Sequence, residues 1–375
     1  MDLTHALPMG DDFEQLSCML CGSAVKLVAQ FSMAYFDVRL HAGGTEFRDA
    51  WNAHEPYDRL THIFYVPRKL LRDGMMLTIS ALDSAEDGDL CACIVPFAAD
   101  FADPDALLAA YDSGIRVRET QTEAIAPGAV YRQMQCTDRD GDPVVFTTLE
   151  VDPALCTLYI GTPQDGYAAV GVRATIPDMI AAAEQNGQTV YAAVNADFFD
   201  IFGDGSPSGL CVKNGSVISE ADPSRPFIGV LRDGTAVVAD LAERPDLRGD
   251  LWQAAAGLPR ILKDGALYEW GPLEPFAYVR HPRTAAGVCA DGTIILAEVD
   301  GRIPAHSNGA TLVDLACFLQ TLGVVDAVNL DGGGSSAVYT KADGEFRLRT
   351  VPADLFRPND CLIREDYNSL LVVQK

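Results

Sequence analysis

Turn-forming dipeptides are the feature that most restricts how this 375-residue chain can fold. From residue 116 onward, Asn-Gly or Asp-Gly recurs between apolar or alternating segments. Both residues of such a pair accept positive φ, so the pair is the preferred centre of a two-residue hairpin turn. Six pairs within about 210 residues indicate extensive antiparallel sheet: Asp140-Gly141, Asn214-Gly215, Asp233-Gly234, Asp264-Gly265, Asp291-Gly292 and Asp343-Gly344.

Two segments with helical periodicity interrupt these strands, and they resemble each other. One begins at Thr175 and the other at Thr311, and in both the hydroxyl can accept from the amide three residues further on. An apolar face, a glycine stop and a buried strand follow in each, and each strand ends in an Asn-x-Asp triplet, at residues 195–197 and 329–331. The shared order predicts an internal duplication that brings both triplets to one pocket, with chance similarity of two ordinary capped helices as the alternative.

The chain divides near residue 110. Residues 1–112 contain short apolar segments rich in β-branched and aromatic residues, which predict a small β-rich domain. Within it, residues 98–112 favour a short connecting helix. For residues 113–375 we expect an α+β domain, with a mixed, mostly antiparallel sheet and the two similar helix-strand units. Hydrophobic residues make up 48% of the chain, a normal proportion for globular packing.

The acidic composition restricts the expected partners. Lys and Arg number 28 against 53 Asp and Glu, which gives a formal net charge of -25. Nucleic acid and anionic lipid bind proteins through Lys and Arg, so neither is expected as a partner. No apolar run reaches the ~18 to 20 residues of a membrane-spanning helix, and no membrane insertion is expected. The first residues lack the features of a secretory signal, which favours a cytoplasmic location over export by an unrecognised route.

The ten cysteines have no dense disulfide spacing, which is typical of reduced thiols. Two close pairs, Cys18/Cys21 and Cys91/Cys93, are of the kind that ligates zinc. They are far apart in the sequence, and no histidine lies at zinc-finger spacing. We therefore expect no required metal at these pairs.

Polar residues follow the first of the two repeated strands. Asn195 and Asp197 end the strand, and Asp200 and Asp204 lie in a loop that is too polar for a core. Asp200 and Asp204 are candidate calcium ligands, although the EF-hand spacing is absent. The alternative is that they only shape an Asx-rich turn.

The second repeated strand carries the sharper signal. Asn329 and Asp331 precede three glycines and two serines, whose amides and hydroxyls can approach an anion closely. The residues of this loop are Gly332, Gly333, Gly334, Ser335 and Ser336. The lysine and the spacing of a Walker loop are missing. A glycine triplet alone is more often a tight turn, but the flanking Asn, Asp and Ser residues predict a binding site.

Basic and polar residues near two further strands complete the set of candidates. His281 and Arg283 directly precede one strand, and the rigid donor fork of arginine suits phosphate or carboxylate. Asp300 and Arg302 follow the next strand, and His306 lies in the polar stretch before the second helix. The ordinary alternative for Arg283 is a surface ion pair with one of the many acids.

The order of these motifs resembles the phosphodiester glycosidase family. The resemblance rests on NADFFD with SPSG, then HPRTAAGV, EVDGR, SNGATLVDLACFLQTLG and NLDGGGSS, and it covers about residues 115–375. One departure is Ala196, where the family often has glycine. The resemblance implies hydrolysis of a sugar-1-phosphodiester at the anomeric carbon, with a small-molecule or glycan phosphodiester as substrate and no required cofactor.

On that resemblance, Asp197 and Asp331 are the expected catalytic carboxylates, with Asn195 and Asn329 beside them. Which carboxylate serves as acid, base or nucleophile is left open. The expected phosphate and substrate binders are Arg283, His281, Arg302, Asp300, His306, Asp200 and the loop Gly332, Gly333, Gly334, Ser335 and Ser336. Two alternatives are a non-catalytic phosphosugar or glycan-binding protein and a metal-dependent phosphodiesterase that cleaves the P-O bond.

Overall fold

A computed structural model describes most of the chain, and its described part divides into two compact units. The described residues are 6–21, 24–49, 60–67, 70–72, 74–84, 88–97, 114–138, 141–220, 222–268, 279–353, 355–357, 360–361 and 363–375. The first unit consists of Met1–Ser113 and Glu269–Arg280, and the second of Gly114–Tyr268 and His281–Lys375.

The α+β prediction is wrong, because the protein is mostly β-sheet. Strands account for 52% of the structure and helices for 11%. The described residues contain two α-helices, α1 (Ile176–Gln185) and α2 (Leu312–Thr321), each of ten residues. Helical periodicity reveals a helix but not its share of the architecture, and two short helices do not form a layer over the sheets. The architecture follows instead from the many hairpins.

In its described residues, the first unit contains eight strands in two sheets. They are β1 (Leu7–Pro8), β2 (Phe13–Cys21), β3 (Ala24–Phe31), β4 (Phe36–Ala42), β5 (Thr45–Arg48), β6 (Thr61–Pro67), β7 (Met76–Leu82) and β8 (Leu90–Pro96). One sheet has the order β1-β8-β7-β4-β5 and the other β2-β3-β6. Leu27, Leu40 and Ile79 are fully buried in a core to which both sheets contribute. The connecting helix predicted at residues 98–112 lies outside the described residues.

The second unit contains the remaining strands. They are β9 (Arg116–Ala126), β10 (Ala129–Thr137), β11 (Pro143–Val151), β12 (Cys156–Gly161), β13 (Val190–Asn195), β14 (Leu210–Lys213), β15 (Ser216–Glu220), β16 (Phe227–Leu231), β17 (Ala236–Ala239), β18 (Leu251–Ala256), β19 (Arg260–Lys263), β20 (Ala266–Leu267), β21 (Arg283–Cys289), β22 (Ile294–Val299), β23 (Val324–Asn329), β24 (Val338–Ala342), β25 (Glu345–Leu348), β26 (Leu355–Arg357), β27 (Asp360–Cys361) and β28 (Ser369–Gln374).

Three larger antiparallel sheets organise this unit. The eight-stranded sheet has the order β20-β19-β23-β21-β22-β11-β10-β9, and two five-stranded sheets have the orders β12-β28-β13-β24-β25 and β15-β14-β18-β16-β17. Strands β26 and β27 form a separate pair. Val194 of β13, Val328 of β23 and Ile228 of β16 belong to one hydrophobic cluster, so all three sheets contribute to a common core.

The hairpin turns follow the dipeptide pattern. Both residues have positive φ in Asn214-Gly215, Asp264-Gly265 and Asp343-Gly344, the conformation that a type I′ turn requires. These pairs join β14 to β15, β19 to β20 and β24 to β25. In Asp233-Gly234 and Asp291-Gly292 only the glycine has positive φ.

The two helices begin at threonine caps, but their following strands lie in different sheets. The Thr175 hydroxyl accepts from the Asp178 amide at the start of α1, and Thr311 forms a reciprocal capping box with Asp314 at the start of α2. Strand β13 lies between β28 and β24, whereas β23 lies between β19 and β21. None of the helices in the described residues has the length and apolar character needed to cross a membrane.

Candidate active site

The two Asn-x-Asp triplets lie side by side at the ends of β13 and β23. The backbone amide of Asp331 donates to the carbonyl oxygen of Ala196 at 2.9 Å. In return, the side-chain Nδ2 of Asn195 donates to the carbonyl oxygen of Asp331 at 2.7 Å. Standard backbone dimensions then keep the Cα atoms of Asp197 and Asp331 within about 8 Å of each other. The structure thus brings the two predicted carboxylates to one site.

Asn195 and Asn329 hold the backbone around this site. The Oδ1 atom of buried Asn195 accepts from the Thr284 hydroxyl at 2.7 Å and from the Ala337 amide at 3.3 Å. Asn329 is also buried, and its Nδ2 donates to the carbonyl oxygen of Leu258 at 2.7 Å. Asn195 therefore connects three chain segments, and the hydrogen bonds of both amides are structural in character.

Asp197 is almost fully enclosed, with 1% of its surface exposed. Its Oδ2 accepts from the amide of Gly209 at 3.1 Å, and its own amide donates to Asn368 Oδ1 at 2.8 Å. Its Oδ1 is buried and has no hydrogen-bond partner among the described residues. Burial raises the pKa of Asp197 well above its usual range, and the positive charge of Arg225 opposes the rise. The site therefore favours the neutral acid form of this carboxyl.

Asp331 is half-buried and has more support for its charged form. Its Oδ1 accepts from the Gly332 amide at 2.8 Å. Burial raises the pKa of Asp331, while a hydrogen bond with Ser335, the Gly332 amide and the charges of Arg364 and Arg302 act in the opposite direction. Of the two carboxylates, Asp331 is thus the one that can meet a ligand as an anion.

Arginines converge on the loop that follows Asp331. The Nη1 atom of Arg364 donates to the Ser335 hydroxyl at 3.3 Å. Arg302 covers the same loop, because a Cβ atom placed on Gly333 would lie 3.1 Å from an Arg302 guanidinium nitrogen. Burial lowers the pKa of nearby Arg283, and repulsion from the Arg302 charge lowers it further, so these two guanidinium groups lie close together. Grouped arginines are unusual in a chain with a formal net charge of -25, and such a group can attract an anion locally.

Arg283 itself is buried in the wall of the site, with 4% of its surface exposed. Its Nε donates to the carbonyl oxygen of Ala310 at 3.3 Å. Burial is the main cause that lowers its pKa, to about 9, so the guanidinium still carries its charge at neutral pH. Arg283 thus lies close to Arg302, and its role as a phosphate binder stays a prediction.

The glycine loop supports the site mainly through its shape. A Cβ atom on Gly332 would lie 2.6 Å from the carbonyl oxygen of Pro282, and Gly333 has a φ of +64°, so both positions require glycine. The amides of Gly333, Ser335 and Ser336 donate to carbonyl oxygens within the protein. These three amides are therefore used in hydrogen bonds within the protein. Gly334 is buried in the same turn.

Asp300 and His306 form a second polar group beside Arg302. His306 Nε2 lies 2.7 Å from Asp300 Oδ2, and Asp300 Oδ1 accepts from the Val351 amide at 2.9 Å. This contact raises the pKa of His306. Glu298, which the sequence analysis did not select, is 1% exposed and hydrogen-bonded to Asp300. Burial and the Asp300 charge raise the pKa of Glu298 well above its usual range, which favours the protonated form of Glu298.

Three predicted residues serve local structure. The backbone of His281 pairs with that of Ala310 in an isolated β-bridge. Asp200 is exposed, and its Oδ1 accepts from the Gly203 amide at 2.9 Å, while Asp204 accepts from the Ser206 amide at 2.9 Å. Each carboxylate thus closes its own turn. Within the described ranges, no three His, Cys, Asp or Glu side chains come together as a possible metal site.

The sequence analysis missed Arg225, Arg364, Glu298 and Asn368. Arg225 lies 5.7 Å from the centre of the Phe198 ring, and its Nε is buried without a hydrogen-bond partner in the described structure. No short motif surrounds Arg225 or Arg364. Only the scarcity of basic residues could have drawn attention to these two arginines, since Lys and Arg together are 28 of 375 residues. Glu298 could have been found from its spacing, because it lies two residues before Asp300 and residues two apart on a strand face the same side of the sheet.

The fold and the site together define a β-sheet protein with two neighbouring carboxylates and an arginine-rich wall. The family model described as phosphodiester glycosidase matches residues 188–372. The matched segment contains both carboxylates and Arg225, Arg283, Arg302 and Arg364. The segment of residues 188–372 therefore matches the phosphodiester glycosidase family, as the sequence resemblance indicated.

Curated relatives agree with this family. The bovine N-acetylglucosamine-1-phosphodiester alpha-N-acetylglucosaminidase is 32% identical over 210 residues, which are 52% of this chain and 38% of the relative. The human protein of the same name is 28% identical over 254 residues, which are 62% of this chain and 46% of the relative. The matched region thus spans less than half of the length of these relatives.

Solved structures show a similar fold. The catalytic domain of the zebrafish N-acetylglucosamine-1-phosphodiester alpha-N-acetylglucosaminidase, auto-inhibited by its pro-peptide, superposes with a TM-score of 0.55 and 22% identity, over 69% of this chain and 89% of that one. A hypothetical protein from Synechocystis superposes with a TM-score of 0.52 and 14% identity, over 97% of this chain and 80% of that one. At these identities the likeness concerns the fold.

Proposed function

We propose that this protein hydrolyses a glycosyl phosphodiester at the anomeric carbon and releases the sugar and a phosphate monoester. The observation that carries the proposal is the pairing of Asp197 and Asp331 beside Arg302 and Arg364. Two carboxylates on one anomeric centre are the usual requirement for glycoside hydrolysis. A phosphodiester differs from an ordinary glycoside by its negatively charged phosphate, and the positively charged arginines can bind that phosphate. From the names of the curated relatives, we propose N-acetylglucosamine as the sugar.

The two carboxylates have different proposed roles because their surroundings differ. Asp331 is half-buried, and Arg302 and Arg364 favour its charged form. It is therefore the proposed base or nucleophile, which stabilises positive charge on the sugar ring and directs the attack on C1. Asp197 is buried, and burial keeps its carboxyl neutral. We propose that Asp197 holds a proton that it can share with the reacting groups.

The chemistry of the leaving group supports these different roles for Asp197 and Asp331. A phosphate monoester leaves as a weak base, so the reaction needs less proton donation than cleavage of an ordinary glycoside. Stabilisation of negative charge on the phosphate is then the larger task, and fixed positive groups perform it well in an enclosed site. Arg364 and Arg302 border the loop after Asp331, and Arg283 lies close to Arg302.

The two alternative functions have less support. A protein that only binds phosphosugars has no need of two adjacent carboxyls with raised pKa values, and such pairs are enriched at catalytic sites. A metal-dependent phosphodiesterase would require a cluster of metal ligands. The part of the chain that the structure describes contains no group of three or more candidate ligands, so no observation here favours cleavage of the P-O bond.

The test is turnover of N-acetylglucosamine 1-phosphodiesters in oxygen-18 water by the wild type and by Asp331→Asn. We expect the label in the released sugar, because water attacks the anomeric carbon. The variant should bind the diester and lose at least ~100-fold in turnover, the lower scale of acid-base assistance. Asp291→Asn, in an exposed hairpin turn, is the control. Label in the phosphate, or full turnover by a stable Asp331→Asn protein, would contradict the proposal.

A further inference from the structure

Arg225 reaches the candidate active site from the five-stranded sheet that contains β16. It lies two residues before β16, and its guanidinium carbon Cζ is 5.7 Å from the centre of the Phe198 ring, within the range of a cation–π contact. A Cβ atom placed on Gly209 would lie 3.3 Å from both Cδ and Nε of Arg225. Because Phe198 follows Asp197 in the chain and the Gly209 amide donates to Asp197 Oδ2 at 3.1 Å, Arg225 packs against two residues that border this carboxyl.

Gly209 leaves the space that this arrangement needs. A Cβ atom at residue 209 would also lie 2.4 Å from the Cβ of Ala256, which is closer than real Cβ atoms approach each other. A side chain there would displace either Ala256 at the end of β18 or Arg225 itself. Glycine at residue 209 therefore permits the close approach of Arg225 to the backbone beside Asp197.

The Nε atom of Arg225 is buried and has no hydrogen-bond partner among the described residues. Arg260, by contrast, is buried and pairs with Asp326 at 2.5 Å. The charge of Arg225 acts on two carboxyl groups, Asp197 and the exposed Asp222, and it lowers the pKa of both. Asp222 is already held by hydrogen bonds within its own turn. Asp197 is thus the buried acid on which the charge of Arg225 acts.

The groups around Asp197 make its charged form costly. Burial is the main cause of its raised pKa, and the Asp331 charge adds to the rise, while Arg225 is the strongest influence in the opposite direction. Cys211 of β14 and Tyr367 also face Asp197, and both stay neutral, since burial raises the pKa of Cys211 to about 12 and that of Tyr367 further above its usual range. Arg225 therefore supplies positive charge to a carboxyl that is otherwise surrounded by neutral and negative groups.

We propose that Arg225 is a positioning residue of the reaction and that it acts through Asp197, whose anion it stabilises between two proton transfers. In the first transfer, the bond between C1 and the phosphate oxygen breaks, its electron pair goes to that oxygen, and Asp197 gives the same oxygen its proton. Asp331 stabilises the positive charge left on the sugar. In the second transfer, water forms a bond to C1 and gives a proton to Asp197, which restores the neutral acid.

Between these two steps Asp197 is a buried anion, and a buried charge is costly unless an opposite charge accompanies it. The guanidinium of Arg225 provides that opposite charge without moving, because Phe198 and Gly209 hold it in place. This inference rests on the proposed function, since the anion is an intermediate of that reaction. It explains why a site with two acids receives an arginine on the Asp197 side as well as on the Asp331 side.

The experiment compares the wild type with Arg225→Met and Arg225→Lys in turnover of an N-acetylglucosamine 1-phosphodiester between pH 4 and pH 9. Met removes the charge and Lys keeps it. In Arg225→Met, the alkaline limb of the kcat profile should move up by about 1 to 2 pH units, the scale for loss of a nearby opposite charge. The kcat at pH 7 should fall about 10- to 100-fold, which is the same shift expressed as a rate, while KM stays nearly constant.

Arg225→Lys should recover most of the wild-type kcat and the position of its alkaline limb. The control is Arg232→Met, because Arg232 also lies over an aromatic ring, 5.2 Å from the centre of Trp252, but in an exposed turn of the same sheet. It should leave kcat, KM and the pH profile unchanged. Equal losses in the Lys and Met variants, or a lower melting temperature of Arg225→Met with an unchanged pH profile, would overturn the proposal and leave Arg225 a structural residue.

A titration of Asp197 separates this inference from the proposed reaction. Its carboxyl carbon is followed by NMR in protein labelled with ¹³C-aspartate, without substrate, and is assigned with Asp197→Asn. The midpoint should lie about 1 to 2 pH units higher in Arg225→Met than in the wild type. We expect this difference even if no diester is hydrolysed, and that combination would refute the proposed reaction but not the action of Arg225 on Asp197. Equal midpoints, or no titration in either protein up to pH 10, would refute the inference.

Discussion

Asn195 offers the most direct test of how the two halves of the site are held together. Replacement by Ala removes three hydrogen bonds, at 2.7 Å to the Asp331 carbonyl, 2.7 Å to Thr284 and 3.3 Å to the Ala337 amide. The Thr284 hydroxyl can turn to the Ser336 hydroxyl, which is 3.4 Å away. The Asp331 carbonyl and the Ala337 amide then lose a partner, at ~1 to 3 kcal/mol each. We expect the Ala variant to lose about 2 to 6 kcal/mol of unfolding free energy.

Asn195→Asp adds a dependence on pH whose sign follows from the same contacts. An ionised carboxylate in place of this amide would put an oxygen opposite the Asp331 carbonyl, where the wild type has a donor, and only the protonated acid can donate there. The folded protein should therefore raise the pKa of the new carboxyl above its unfolded value of about 3.9. The stability of this variant relative to wild type is then greatest below that pH and falls as the pH rises.

The assay is denaturant unfolding of the wild type, Asn195→Ala and Asn195→Asp between pH 4 and pH 8, with turnover measured on the same preparations. Asn214→Asp is the control, because the amide of Asn214 donates to the exposed Tyr167 hydroxyl in a hairpin turn. Stabilities of both Asn195 variants within about 0.5 kcal/mol of wild type, the usual range for surface changes, would refute the structural role. Lost turnover at unchanged stability would instead make Asn195 a group that acts in the reaction.

Three further predictions concern charged groups of the site. Asp197→Asn should raise stability at neutral pH and flatten its decline with rising pH, because burial raises the pKa of Asp197 and the folded protein loses stability as that carboxyl ionises; an unchanged pH profile of chemical unfolding would contradict this. Glu298→Gln should melt near the wild-type temperature at pH 7, since Gln replaces the protonated acid that bonds to Asp300, whereas Glu298→Leu should melt lower. Arg364→Ala should weaken binding of the diester about 10- to 100-fold, which is the scale of a charge-assisted hydrogen bond. The control is Arg248→Ala, which removes an exposed ion pair with Glu220 and should leave binding unchanged. Isothermal titration measures both affinities.

The candidate site was partly accessible from the sequence. Asp331 and its glycine loop could be found because a charged residue between a buried strand and three glycines is locally unusual. Asp197 followed from the repeated triplet. Glu298 and Arg225 escaped because their roles depend on neighbours that are set by the folded chain, namely the Asp300 carboxylate at the strand end and the Asp197 carboxylate beyond a loop. The fold class was wrong because the two helices were given more weight than the hairpins between them.

The sequence by itself determined the features that depend on neighbouring residues. Asn214-Gly215 forms its turn because both residues tolerate positive φ, and Thr311 caps its helix because the Asp314 amide lies within reach of its hydroxyl. Only the tertiary structure decided the chemistry of the carboxylates. Asp197 and Asp331 acquire raised pKa values from burial among residues that arrive from other sheets, and local sequence contains no measure of that burial. Desolvation and charge act through space, so they are set by the fold and not by the order of residues.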